Sequence, residues 1–170
     1  MKREDMIALL EEHGSKPWDM IIIGGGATGL GTAIDAASRG YRVALFEAHD
    51  FAKGTSGRST KLVHGGVRYL RQGNLVLVRD ALRERANLLH NAPHLVHPLA
   101  FIIPAGSQFE RLFYGAGLKL YDLLAGSHGM QPSTLLDRQQ TLNALPGLNQ
   151  TGVGGGIQYW DGQIGRASCR

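Results

Sequence analysis

The stretch Met20-Ile21-Ile22-Ile23-Gly24-Gly25-Gly26-Ala27-Thr28-Gly29-Leu30-Gly31 decides the fold of this chain. An apolar, β-branched run over 19–23, closed by glycine, predicts a strand. Residues 27–39 follow as a helix with a small-residue face at Ala33, Ala36 and Ala37, and Gly40 supplies its C-terminal stop. Residues 42–46 predict a second apolar strand that ends at Glu47. Strand, glycine turn, helix and strand make one βαβ unit, and two strands joined by a helical crossover lie parallel.

Gly24, Gly26 and Gly29 occupy the joint between strand and helix in G-x-G-x-x-G spacing. The first permits the tight turn, the second lets a pyrophosphate approach the backbone, and the third lets helix and strand pack closely. Free N–H groups at the helix start then meet the phosphates. Glu47 comes 18 positions after Gly29, near the spacing at which an acid accepts hydrogen bonds from adenosine ribose hydroxyls. An acid there favours FAD or NAD over NADP, whose extra phosphate it would repel. The motif by itself does not choose between FAD and NAD.

Outward from this unit, residues 3–12 predict a short amphipathic helix carrying Met6, Ile7, Leu9 and Leu10, stopped by Gly14 and Pro17. Residues 53–60 read as a polar loop, and 61–70 as a loop with a short helix. Residues 76–91 predict a surface helix with Val78, Leu82, Ala86 and Leu89 inward, closed by Pro93, and with Arg79, Arg83 and Arg85 as a solvated face. A strand over 99–103 capped by Pro104, helices over 109–124 and 135–145, and a short strand over 157–160 complete the pattern. Tyr114 and Tyr121 read as core or interface residues of a helix, and Asp137 stands near the start of the last one.

With 170 residues, 43% of them hydrophobic, the chain has room for one domain with a core. No run approaches the roughly 18 to 20 apolar residues of a membrane span, and the mixed-charge N-terminus reads as unexported. Cys169 is the one cysteine, which excludes an intrachain disulfide and suits a reducing, cytoplasmic compartment. The charge of +4 is scattered rather than drawn into a stripe among aromatics, so nucleic-acid binding is not expected. Pro93 and Pro98 break any common face for His90, His94 and His97, so no metal site is expected.

The second informative stretch runs Thr55-Ser56-Gly57-Arg58-Ser59-Thr60-Lys61-Leu62-Val63-His64-Gly65-Gly66-Val67-Arg68-Tyr69-Leu70. Its hydroxyls and backbone N–H groups can cradle a pyrophosphate or ribityl chain, with Arg58 and Lys61 to balance the charge. His64 beside two glycines offers a polar side chain next to a backbone that a flat ring can approach. Arg68 can meet a phosphate with paired donors, and Tyr69 adds a hydroxyl.

Together with the first glycine motif and Asp35-Ala36-Ala37-Ser38-Arg39-Gly40, this stretch resembles the FAD-dependent glycerol-3-phosphate dehydrogenases. The resemblance continues through Ala92-Pro93-His94-Leu95, residues 118–126 and Gly154-Gly155-Gly156-Ile157-Gln158-Tyr159-Trp160-Asp161-Gly162-Gln163, and departs at Leu30 and Gly57, where the family usually has a small residue and a serine. It implies an α/β, Rossmann-like FAD-binding domain with a parallel sheet, plus the start of a substrate-binding cap. It further implies oxidation of sn-glycerol 3-phosphate to dihydroxyacetone phosphate, with electrons passed to a quinone or, in an oxidase branch, to oxygen. FAD contacts fall on Gly24, Gly26, Gly29, Glu47, Ser56, Ser59, Lys61 and His64, and the substrate pair on Arg68 and Tyr69. A peripheral position on the inner face of the cell membrane and a homo-oligomer are compatible with the family, and its catalytic base comes from later in the chain than any residue here.

The implied organisation is an N-terminal extension over 1–17, the first part of the FAD-binding domain over 18–98, the start of the cap over 99–163, and a tail over 164–170. That tail, Ile164-Gly165-Arg166-Ala167-Ser168-Cys169-Arg170, replaces the family's usual continuation and resembles a translated sequencing adapter, so the expectation is a truncated fragment with a foreign end. Two rival readings remain: a related flavin amine or hydroxy-acid oxidase, and a nucleotide-binding fragment without catalysis.

Overall fold

The structure, a computed structural model, describes residues 2–11 and 16–165. The chain divides into two compact units, Met1–Ser59 and Thr60–Arg170. The tail's Arg166, Ala167, Ser168, Cys169 and Arg170, and the helix stop at Gly14, lie outside the described residues.

In the first unit, α1 (Arg3–Glu11) forms as expected, but Met6, Ile7, Leu9 and Leu10 all stand exposed and none of its residues is buried. Strand β1 (Met20–Ile23) and strand β2 (Val43–Phe46) pair in parallel, Met20 with Val43 through Ile23 with Phe46. Helix α2 (Ala27–Ser38) is the crossover between them. Gly40, at φ +86°, turns the chain out of α2, as its N–H donates to the Ala37 carbonyl and that of Tyr41 to Ala36. The Asp19 carboxylate accepts the Arg42 N–H at 2.7 Å and pins the start of β2. Ile22, Ala36 and Ala44 form the small core, while Ile21 and Ile23 are exposed. The polar stretch expected as a loop contains a single helical turn, α3 (Thr55–Arg58).

The second unit is built on an antiparallel sheet, in which β6 (Gly155–Ile164) lies beside β4 (Val96–Ala105) along its whole length. On its other side β6 pairs with β3 (Leu62–Val63) near one end and with β5 (Thr134–Leu136) near the other. Helices α4 (Val67–Arg71), α5 (Leu75–Asn91), α6 (Gln108–Ala125) and α7 (Arg138–Ala144) complete the unit. Val78 and Leu82 of α5, Leu118, Tyr121 and Ala125 of α6, Ala105 of β4 and Ile157 of β6 form one core.

Three expectations need correction here. Pro104 does not cap β4, because β4 pairs with β6 alone among the described strands, and an unpaired edge tolerates a residue that lacks an N–H. Strand β6 is longer than 157–160, since partners on both sides supply backbone hydrogen bonds that outweigh the poor strand propensity of glycine. The stretch 135–145 is not one helix: Leu135 and Leu136 pair with Ile157 and Gly156 in the sheet. Asp137 then opens α7 with a capping box, its side chain accepting the Gln140 N–H while Gln140 accepts the N–H of Asp137.

Candidate functional site

In the first unit the glycine turn and the start of α2 build a concave backbone surface. Gly24 takes φ +106°, and its N–H donates to the Phe46 carbonyl at 2.7 Å. A Cβ on Gly29 would lie 1.9 Å from the Gly24 carbonyl oxygen, so the helix seats directly on the turn. Gly26 caps α2 in extended conformation with no side-chain bond of its own. The Ser56 hydroxyl reaches the helix start from α3 instead, accepting the Ala27 N–H at 3.2 Å. Ser59 donates its hydroxyl to the Ser56 carbonyl at 3.0 Å and holds that turn together.

Glu47 projects from the end of β2 into the same region. One carboxylate oxygen accepts the Gly25 N–H at 2.7 Å and the other the His49 N–H at 2.9 Å. These two backbone donors, Gly25 first, hold its carboxyl below the usual glutamate range. Each oxygen retains a second lone pair able to accept from a ligand hydroxyl. Gly24, Gly26, Gly29, Glu47 and Ser56 are thus brought together around one helix N-terminus.

The second unit holds an open cleft of about 470 Å³ lined by His64, Arg68, Tyr69, Phe101, Tyr159 and Asp161, with Leu62, Gly66 and Val67 between them. His64 and Arg68 are exposed, and the Arg68 guanidinium sits 5.4 Å above the Tyr69 ring with no ion pair to an acid among the described residues. Phe101 and Tyr159 stack at 5.3 Å to form an aromatic wall. Lys61, just before β3, adopts φ +61°, and its carbonyl accepts the Ile164 N–H.

Asp161 also belongs to a buried polar network. Arg85 and Asp161 form an ion pair at 2.7 Å with both side chains 2% exposed. The Tyr121 hydroxyl donates to Asp161 at 2.9 Å and accepts the Gly65 N–H at 2.9 Å. Burial first, and then the Asp161 charge, pushes the Tyr121 phenol well up, so it stays protonated and able to donate. Arg85 also reaches the carbonyls of Trp160 and His128 at 3.3 Å, while its Nε has no partner.

The family described as FAD dependent oxidoreductase matches residues 19–168. The chain belongs to this family. Glycerol-3-phosphate dehydrogenases are among its relatives: the mitochondrial one of Rattus norvegicus is 46% identical over 162 residues, covering 91% of this chain. The mitochondrial one of Arabidopsis thaliana is 45% identical over 92% of this chain. This chain spans only 22% and 27% of those two relatives' lengths. The solved glycerol-3-phosphate dehydrogenase from Bacillus halodurans, complexed with FAD, superposes with a TM-score of 0.64 at 33% identity, covering 99% of this chain and 25% of that one.

FAD is the cofactor of this family, and the first unit fits its pyrophosphate: glycines leave the backbone open at Gly24 and Gly26, at the N-terminus of α2, where the Ser56 hydroxyl already accepts the Ala27 N–H. The family's α/β fold is present in the parallel βαβ unit. Of the residues expected to contact FAD, Lys61 and His64 belong to the second unit, where His64 shares the cleft with Arg68 and Tyr69.

Arg85, Tyr159 and Asp161 were not expected in a site, and Arg85 corrects the expected solvated face. Arg79 and Arg83 are exposed, whereas Arg85 is buried. The signal was present: Val78, Leu82 and Arg85 share one helical face, and Ile157, Tyr159 and Asp161 alternate on one strand face. Tyr121 is in the core, while Tyr114 is 37% exposed. His90, His94 and His97 are exposed, and among the described residues no group of three His, Cys, Asp or Glu could hold a metal ion.

Proposed function

We propose that this chain supplies the FAD-holding turn and the substrate-anchoring cleft of an enzyme that oxidises sn-glycerol 3-phosphate to dihydroxyacetone phosphate. The observation that carries this reading is Arg68, a guanidinium without an acid partner in a cleft beside His64 and Tyr69. A guanidinium so placed can take two oxygens of a phosphate monoester through parallel N–H bonds. Tyr69 supports the guanidinium from its ring face, worth about 0.5–1 kcal/mol at an exposed site. The stacked Phe101 and Tyr159 exclude water from one side of the bound polyol. In the first unit Gly24, Gly26, Gly29, Ser56 and Ser59 would hold the pyrophosphate and Glu47 the ribose. When bound, FAD would supply the acceptor for the hydride that leaves the secondary carbon, and the hydroxyl proton would pass to a general base of the enzyme.

The electrons are proposed to pass on to a quinone, and the enzyme to sit peripherally on the inner membrane face. Support for membrane contact comes from α6, which exposes Phe109, Leu112, Phe113 and Leu123. No described helix is long and apolar enough to cross a membrane.

The test is an absorbance spectrum of the purified flavoprotein before and after glycerol 3-phosphate. Bleached flavin bands are expected, with reoxidation by a soluble quinone faster than by oxygen. Bleaching by glycine or sarcosine and not by glycerol 3-phosphate would overturn the substrate and favour the amine-oxidase reading.

A further inference from the structure

We propose that Tyr121, Asp161 and Arg85 are positioning residues, a buried brace that fixes the His64-Gly65 backbone in the cleft wall and so sets the geometry at which His64 and Arg68 act. The inference rests on the proposed function for what the cleft binds. Its structural content stands on the network itself.

Three elements that are far apart in sequence, α5, α6 and β6, each send one buried side chain to the same place. The connection runs from the Arg85 guanidinium to one Asp161 oxygen, from the other oxygen to the Tyr121 hydroxyl, and from that hydroxyl to the Gly65 N–H. Asp161 Oδ1 also lies 3.4 Å from the Gly65 nitrogen. A buried ion pair is a weak source of stability, because desolvating both charges offsets most of their attraction. What this pair gains is direction: it orients the tyrosine hydroxyl and presents its lone pair to one backbone N–H.

Gly65 is shaped to receive that contact. A Cβ there would lie 2.6 Å from both the Tyr121 hydroxyl and Leu82 Cδ2, so only a bare backbone can lie against the network. The neighbours of Gly65 line the cleft on either side, with Arg68 three residues on. A shift of the Gly65 amide would therefore carry His64 and the start of α4 with it. The Tyr121 phenol, kept protonated by burial, donates across the working pH range.

Tyr121→Phe removes the hydroxyl and keeps the ring in the core. In the flavin-loaded enzyme, amide hydrogen exchange at Gly65 is expected to quicken about tenfold, the factor for one net hydrogen bond, while exchange at Ile157 in β6 stays unchanged. Turnover should fall roughly 10- to 100-fold, and KM for glycerol 3-phosphate should rise by less than in Arg68→Ala, because the guanidinium is displaced and not removed. The double variant Arg85→Met with Asp161→Leu replaces the pair by apolar groups. It should fold, yet show the same faster exchange at Gly65 and the same turnover loss. Unchanged exchange at Gly65 in Tyr121→Phe, or wild-type turnover in either variant, would overturn the brace. If glycerol 3-phosphate fails to bleach the wild-type flavin, the proposed substrate falls, and exchange at Gly65 still decides the brace.

Discussion

Alanine at position 29 would place a Cβ 1.9 Å from the Gly24 carbonyl oxygen, 3.1 Å from its carbonyl carbon and 3.4 Å from Ile22 Cγ2. Ordinary contact begins near 3.4 Å, so the methyl arrives about 1.5 Å too close to an atom of the backbone. No rotamer change relieves that overlap. The start of α2 must lift from the glycine turn, loosening its packing on Ile22 and the alignment of the Ala27 N–H with Ser56. Overpacking of this kind costs about 1–3 kcal/mol, and a backbone obstacle puts Gly29→Ala toward the upper end. The first unit has little to absorb it, since its buried core is Ile22, Ala36 and Ala44. Gly31→Ala is the matched control: it lies in the same helix, its Cβ meets nothing within 4 Å, and its φ is not positive. There alanine should add about 0.5–1 kcal/mol through helix propensity. The assay is thermal unfolding together with FAD titration followed by flavin fluorescence. Gly29→Ala should lower the FAD affinity at least about tenfold, or about 1.4 kcal/mol, while Gly31→Ala should equal or exceed wild type in both measurements. Wild-type affinity and melting temperature in Gly29→Ala would refute the claim that this glycine seats the helix on the phosphate-binding turn.

The Glu47 carboxyl is held below its ordinary value near 4.5 by the Gly25 and His49 N–H groups, so its contribution to folding is complete above that value and is lost as pH falls through the depressed one. The melting-temperature gap between wild type and Glu47→Gln should therefore be constant above about pH 5.5 and close on acidification; a gap that widens toward low pH would contradict the assigned bonds. Arg85→Ala leaves Asp161 buried without its cation and should cost about 3–5 kcal/mol in denaturant unfolding, against within about 0.5 kcal/mol for the exposed Arg83→Ala. Equal effects would mean that Arg85 is solvated after all. Arg68→Ala should raise KM for glycerol 3-phosphate roughly 10- to 100-fold, the range for a hydrogen-bonded charge, with the flavin spectrum of the resting protein unchanged. An unaltered KM would remove Arg68 from the substrate site.

The βαβ unit was legible in the sequence because its determinants are local. A β-branched run, glycines at fixed offsets, a small-residue helix and an acid at the next strand end all act through the backbone within 30 residues of one another. His64, Arg68 and Tyr69 share one cleft because a single short segment carries all three. Non-local pairing decided the rest. Leu135 and Leu136 look helical until β6 offers them a partner, and Pro104 looks like a strand end until β4, paired with β6 alone among the described strands, runs on through it. Arg85 belongs to a run of arginines that reads as solvated, because a sequence shows charge but not the acid that neutralises it 76 positions away. The residues fixed by their neighbours in sequence declared their structure in advance. The buried network among Arg85, Tyr121, Asp161 and Gly65 exists only once α5, α6 and β6 are packed, because burial and the pairing that compensates it arise together in the tertiary fold.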